Sequence, residues 1–135
     1  MSSIERITGA ELAEIVKSDQ KPWKDYLVVD VRDGDYRGGN IKGSYNLPSM
    51  KFKSGVDDLI SKTNGVPKVI FHCKFSQERG PVAAGIYDAR RILQETDGYR
   101  DQQVYVLQGG FNTFATTYKD DPLLVENWDE NAVIW

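Results

Sequence analysis

The chain is poor in the residues that small proteins use as staples. It has one cysteine, Cys73, among 135 residues, so no internal disulfide can form and nothing argues for secretion. It has one histidine, His72, and a four-ligand Cys/His zinc site is therefore excluded. No apolar run approaches the roughly 20 residues of a membrane helix. The N-terminal stretch MSSIERITGAELAEIVK carries acidic residues and lacks the apolar core of a signal peptide. A strong excess of one charge is also missing, because 17 Lys and Arg against 20 Asp and Glu leave a formal net charge of −3. Non-specific binding to nucleic acid or to a membrane surface needs a basic run or face, and no basic run is present. A reducing compartment, the cytosol or nucleus, is the expectation.

What is present reads as one α/β domain over residues 1–135, a length that can bury a core without metals or disulfides. Short apolar runs alternate with amphipathic segments. Ile4 to Ile7 suits a short strand. Thr8 caps a helix to about Lys17, with Glu11 completing a capping box. Tyr26 to Val31 is a nearly continuous apolar run, as in a sheet covered on both faces, and Ser44 to Leu47 a short strand closed by Pro48. Val56 to Lys62 reads as a helix and Lys68 to Phe71 as the second strong strand. A helix from Pro81 to about Gln94 offers Val82, Ile86, Tyr87 and Leu93 for burial. Val104 to Leu107 is the last core strand, and Gly109-Gly110 turns into a helix over Phe111 to Tyr118. The tail from Pro122 is expected to be irregular or weakly helical, with Trp128 and Trp135 packing back. Gly38-Gly39 reads as a turn.

The chemistry concentrates in HCKFSQERG, residues 72 to 80. An apolar strand runs into His72-Cys73; five residues follow; then Arg79-Gly80-Pro81 opens a helix, with Pro81 suited to a first helical turn. The loop thus joins the carboxyl end of a strand to the amino end of a helix, where open α/β sheets place ligands. Successive loop amides and the helix dipole favour an anion there. Such a field also stabilises a thiolate, which makes Cys73 the candidate nucleophile. Arg79 offers a planar fork for two oxygens of a tetrahedral oxyanion. The cradle is assigned to Lys74, Phe75, Ser76, Gln77, Glu78 and Arg79, mainly through backbone amides. The bland alternative is a buried strand-end cysteine, against which the strand–loop–helix frame and Gly80-Pro81 weigh.

His72 to Pro81 closely resembles the active-site loop of the cell-division-cycle dual-specificity phosphatases that activate cyclin-dependent kinases. The block VVDVRDGDYRGGNIKGSYNLPS, residues 28 to 49, and VLQGGF, residues 106 to 111, resemble two further signatures of the rhodanese superfamily to which those enzymes belong. The resemblance implies a rhodanese-like α/β fold, a central, mostly parallel five-stranded sheet flanked by helices on both faces. It also sorts loop length, since sulfurtransferases of the superfamily carry a loop one residue shorter, whereas phosphatases and the related arsenate reductases carry Cys-x5-Arg. The count from Cys73 to Arg79 is the longer form. Lys74 departs from the family's acidic residue and makes the loop more electropositive. The tail DPLLVENWDENAVIW departs from the larger enzymes, and the chain looks like the small stand-alone members of fungi, plants and protozoa. The second, protective cysteine of the large phosphatases is absent, so an oxidised Cys73 would need glutathione or another external thiol.

The expected activity is phosphomonoester hydrolysis through a cysteinyl-phosphate, on phosphotyrosine or phosphothreonine proteins or small phosphoesters, with no metal or organic cofactor. The first alternative is arsenate reduction on the same cysteine, with glutathione or glutaredoxin as partner. A non-catalytic phosphate-binding module is the second, and sulfur transfer, opposed by loop length, the third. The resemblance makes Glu78 the candidate general acid, although an electropositive loop should hold it ionised. Ser76 is a candidate for fixing the loop or assisting thiolate departure, with solvent-facing loop polarity as the near-equal alternative. His72 is expected to fix the loop by a hydrogen bond. The resemblance implies that Asp30 buttresses the loop and Arg32 ties the sheet edge to neighbouring segments, with a bond from Asp30 to loop amides or to Arg79 left open. Phe75 and Phe111 are candidates for the mouth of the site, and core packing is the equal alternative for Phe111.

Overall fold

A computed structural model of the chain describes residues 4–94 and 101–133. Three apolar runs make the centre of the sheet: β2 (Leu27–Asp30), β5 (Lys68–His72) and β6 (Gln103–Leu107). Their β-branched residues fit a pleated surface, and alternate side chains enter opposite cores. Val29, Phe71 and Val106 face one cluster, whereas Val28, Ile70 and Leu107 face the other. That two-sided burial is the condition for a parallel sheet. With β1 (Glu5–Ile7) and β4 (Tyr45–Asn46) at the edges, the order is β1-β6-β5-β2-β4, and every pairing is parallel.

Helices cover both faces. On one side lie α2 (Phe52–Lys62) and α3 (Arg79–Leu93), which bring Phe52, Val56, Ala83 and Tyr87 onto Phe71 and Val69. On the other lie α1 (Gly9–Lys17) and α4 (Gly110–Tyr118), whose Leu12, Ala13, Phe111 and Phe114 meet Ile70 and Leu107. Helix α1 starts where its capping box demands: Thr8 Oγ1 accepts the Glu11 N–H at 3.1 Å, and Glu11 Oε1 accepts the Thr8 N–H at 2.9 Å. The architecture is the expected one, a central five-stranded sheet with helices on both faces, and the sheet is parallel throughout.

Three expectations need correction. Helix α3 begins at Arg79, two residues before Pro81. Its inner face is Gly80, Ala83, Ala84 and Tyr87, while Val82 is 60% and Leu93 78% exposed. The small residues Gly80, Ala83 and Ala84 let the helix sit close to the sheet with Tyr87 inserted below it, while Val82 and Leu93 fall on the outer face. The tail also differs. Val125–Glu126 forms a strand, β7, antiparallel to β3 (Asn40–Ile41). Two residues are too few to show a periodicity, and the partner lies about 85 positions earlier. Glu126 Oε1 accepts N–H groups from Asn40 and Gly43 at 2.9 and 3.2 Å, and Trp128 packs against the second core. The tail thereby straps the segment that follows β2. Trp135 lies outside the described residues.

Candidate active site

Strands β2 and β5 are neighbours in register, with Asp30 opposite His72. Their carboxyl ends therefore deliver two loops to one place, Val31 to Gly39 and Cys73 to Glu78. Gly80 permits the close approach of α3 to this strand end. A Cβ there would stand 3.2 Å from both the Cys73 nitrogen and His72 Cα, so a bulkier residue would push the helix N-terminus away from the loop.

The loop is held from behind by α4. The N–H of Phe111 bonds the Cys73 carbonyl at 3.0 Å, and that of Asn112 bonds the Lys74 carbonyl at 2.9 Å. These are orphan donors of a helix N-terminus finding acceptors in another loop. Gly110, at φ +63°, is obligatory: its Cβ would meet the Lys74 and Cys73 carbonyl oxygens at 2.5 and 2.7 Å. Further round, Arg6 of β1 donates Nη2–H to the Ser76 carbonyl at 3.3 Å. Ser76 itself is fully buried in the left-handed region, at φ +55°, and its hydroxyl has no partner among the described residues. With the first carbonyls turned outward, the backbone N–H groups of residues 74–78 meet no acceptor among the described residues.

Cys73 is buried in the α2/α3 core yet borders a hollow of about 160 Å³, walled by Phe75, Gln77, Glu78 and Arg79. Lys74 Nζ sits 5.2 Å from the exposed ring of Phe75. Glu78 is exposed, lines the hollow and also borders an adjoining apolar groove of about 330 Å³.

His72 is fully buried. Its Nδ1 lies 3.0 Å from the Cys73 carbonyl, which can only accept, so Nδ1 carries the proton. Burial pushes the imidazole below its ordinary pKa, and its Nε2 faces Asp30 at 3.6 Å. Asp30 does not bond the loop amides or Arg79, the possibility left open from the sequence. It is saturated by Arg32, whose Nε and Nη2 reach its carboxylate at 2.7–3.1 Å. Arg32 goes on to the carbonyls of Asp35 and Gly39 at 3.2 and 2.9 Å. Phe111 is core, stacked on His72 and lying 4.1 Å under the Arg32 guanidinium. It does not line the mouth of the site.

Two residues that the sequence reading did not single out complete the geometry. Asp35 takes Nη1 and Nη2 of Arg79 as a fork, at 2.9 and 2.7 Å, and Asp33 takes Nη1 at 3.2 Å. The Arg79 hydrogen bonds hold the Asp35 carboxyl at about 2. Burial pushes Asp33 up, but bonds from Ser49, Met50 and Arg79 outweigh it and hold the carboxyl below its ordinary value. The signal was present in the acidic run Asp33-Gly34-Asp35, although only strand order shows what faces it.

A rhodanese-like domain model matches residues 10–117. The chain belongs to the rhodanese-like domain family. Within that family it is 33% identical to the dual specificity phosphatase ibp1 of Schizosaccharomyces pombe, over 73% of this chain and 81% of that protein. It is 36% identical to the CDC25-like phosphatase YCH1 of Saccharomyces cerevisiae, over 71% of this chain and 70% of that one. Mouse M-phase inducer phosphatase 1 is 34% identical, but the match spans only 19% of its length. Among solved structures, the yeast rhodanese-family tyrosine phosphatase Ygr203w superposes with a TM-score of 0.75, at 25% identity over 97% of both chains. The As/Sb reductase of Leishmania major gives 0.72 at 25% identity, over 90% of this chain and 85% of that one. Phosphatases and an As/Sb reductase are thus among the rhodanese-like proteins that this chain resembles.

Proposed function

We propose that the protein hydrolyses phosphomonoesters, of phosphotyrosine or phosphothreonine proteins or of small molecules, through a cysteinyl-phosphate on Cys73. The observation that carries this reading is a hollow that Cys73 and Arg79 share, beside a loop whose backbone N–H groups at residues 74–78 meet no acceptor among the described residues. Such donors suit the equatorial oxygens of a phosphoryl group in flight. In the first step the Cys73 thiolate bonds to phosphorus as the ester P–O bond breaks, and the leaving oxygen takes a proton from Glu78 or from water. In the second, water attacks phosphorus, the S–P bond breaks, and inorganic phosphate leaves with the thiolate restored.

Arsenate reduction is the second reading, supported by the likeness to the Leishmania reductase. There the Cys73 thiolate would displace water from arsenate. With no other cysteine in the chain, two external thiols such as glutathione would supply the two electrons and leave as a disulfide.

Purified protein and Cys73→Ser would be assayed side by side on p-nitrophenyl phosphate, on arsenate with glutathione and glutaredoxin, and on thiosulfate with cyanide. Ester hydrolysis by wild type alone is the expected result. Equal hydrolysis by Cys73→Ser would overturn the nucleophile assignment, and phosphate binding without turnover in any assay would favour a binding module.

A further inference from the structure

Arg79 has five N–H donors, and its bonds divide them by edge. The Nη1/Nη2 end is closed by Asp35 at 2.9 and 2.7 Å, and the outer Nη1 hydrogen by Asp33 at 3.2 Å. The opposite edge, Nε–H with the second Nη2–H, makes no bond among the described residues. That edge is itself a fork matched to two oxygens of a tetrahedral anion.

The carboxylates are fixed independently of the arginine. Asp33 accepts the Ser49 hydroxyl at 2.6 Å and the Met50 N–H at 3.1 Å. Asp35 Oδ1 accepts the Asp33 N–H at 3.0 Å, and the Asp35 carbonyl is held by Arg32, itself locked to Asp30. An unbroken chain of contacts therefore runs from the buried Asp30–Arg32 pair to Arg79. A flexible side chain that must meet an anion at one angle is bolted by its far edge to a prearranged platform.

We infer that Asp35, assisted by Asp33, is a positioning residue that grips Arg79 by one edge and thereby presents the other to the oxyanion. The inference rests on the anion-cradle reading of the Cys73–Arg79 loop. Two negative charges beside an anion site oppose ground-state binding, so their benefit must lie in geometry during the chemical step. Misplacing a catalytic group by an ångström can cost on the order of 100-fold. The loss should therefore fall on kcat and not on KM.

The test compares Asp35→Asn in the wild-type and Arg79→Lys backgrounds, with p-nitrophenyl phosphate turnover and orthovanadate protection of Cys73 from iodoacetamide as readouts. Vanadate serves because it takes a five-coordinate, transition-state-like geometry on a thiolate. Asp35→Asn is expected to lower kcat about tenfold or more, with KM unchanged or lower, and to weaken vanadate protection by a similar factor. In the Arg79→Lys background the same change should cost less than about threefold, since residues acting through one another are non-additive. Unchanged or faster kcat with lower KM would make Asp35 a mere competitor for Arg79 and overturn the inference. Equal losses in both backgrounds would overturn it too. If Asp35→Asn does not fold, Asp33→Asn, which removes one 3.2 Å bond, must show a smaller loss of the same kcat-only kind. Wild-type protein that turns over no ester but is protected by vanadate sinks the phosphatase reading alone, and the protection cycle then decides Asp35. No protection of wild type by vanadate overturns both.

Discussion

Phe111 donates its backbone N–H to the carbonyl of Cys73 at 3.0 Å, so the last core helix holds the candidate nucleophile's peptide from behind. Asn112 does the same for Lys74 at 2.9 Å. Each bond ties a loop carbonyl to α4, while the N–H groups of residues 74–78 meet no acceptor among the described residues. The loop backbone at Cys73 and Lys74 is thus anchored by α4, a helix that contributes no side chain to the hollow.

Gly110→Ala tests that latch. The new Cβ would collide with two backbone oxygens, at 2.5 and 2.7 Å, and would occupy a left-handed conformation, a combination worth roughly 1–3 kcal/mol of strain. Because the clash is with the loop itself, activity should fall further than stability does. Urea midpoints and kcat measured together check this. A variant that loses stability but keeps wild-type kcat would remove α4 from the loop's support.

Asp30→Asn leaves the guanidinium of Arg32 buried without a counter-charge. Breaking a buried pair by removing one partner costs about 3–5 kcal/mol. The pair is almost fully inaccessible, at 2% and 0% exposure, so screening by salt should not mask the loss. Chemical denaturation at low and high salt is the measurement, and a cost below about 1 kcal/mol would mean that Arg32 finds water or another acceptor.

His72 adds a pH dependence of definite sign. Burial holds its pKa below the ordinary 6.5, so the unfolded chain binds the proton more readily than the folded one. Stability should be unaffected above about pH 6.5 and decline as pH falls below that value, until the folded-state pKa is passed. Asp35 adds a second loss lower down: its contribution is complete above 3.8 and disappears as pH falls towards about 2. Thermal midpoints across the acid range would show the first phase, and His72→Gln should abolish it. A midpoint that holds steady through that first interval would exclude a neutral buried imidazole.

Glu78→Gln separates a proton donor from a bystander. Nitrophenolate departs without help, whereas an alkyl leaving group needs a proton, and general acid catalysis is worth roughly 10²–10⁴-fold. We expect kcat on p-nitrophenyl phosphate to change little and kcat on an alkyl phosphate to fall by about that factor. Parallel losses on both substrates would assign the proton to water.

Local chemistry made much of this protein legible from its residues. The Thr8–Glu11 capping box begins a helix wherever the chain goes, because its bonds close within four residues. The runs LVVD, KVIF and VYVL are strands buried on two faces for the same kind of reason. The frame from Cys73 through Gly80-Pro81 marked a strand–loop–helix turn, and the hollow lies along Cys73 to Arg79. Other relationships were beyond a linear reading. Asp35 reaches Arg79 across 44 positions only because β2 and β5 are adjacent in the sheet. Val82 and Leu93 face outward because α3 begins at Arg79 and turns Gly80, Ala83, Ala84 and Tyr87 onto the sheet. The tail becomes a strand because an edge on β3 is there to pair with it. Contacts between near neighbours are properties of a segment, so the sequence by itself determined the elements and the loop. Contacts across the sheet depend on which segments the common core brings side by side, and tertiary structure alone decided what grips Arg79 and what anchors the loop behind Cys73.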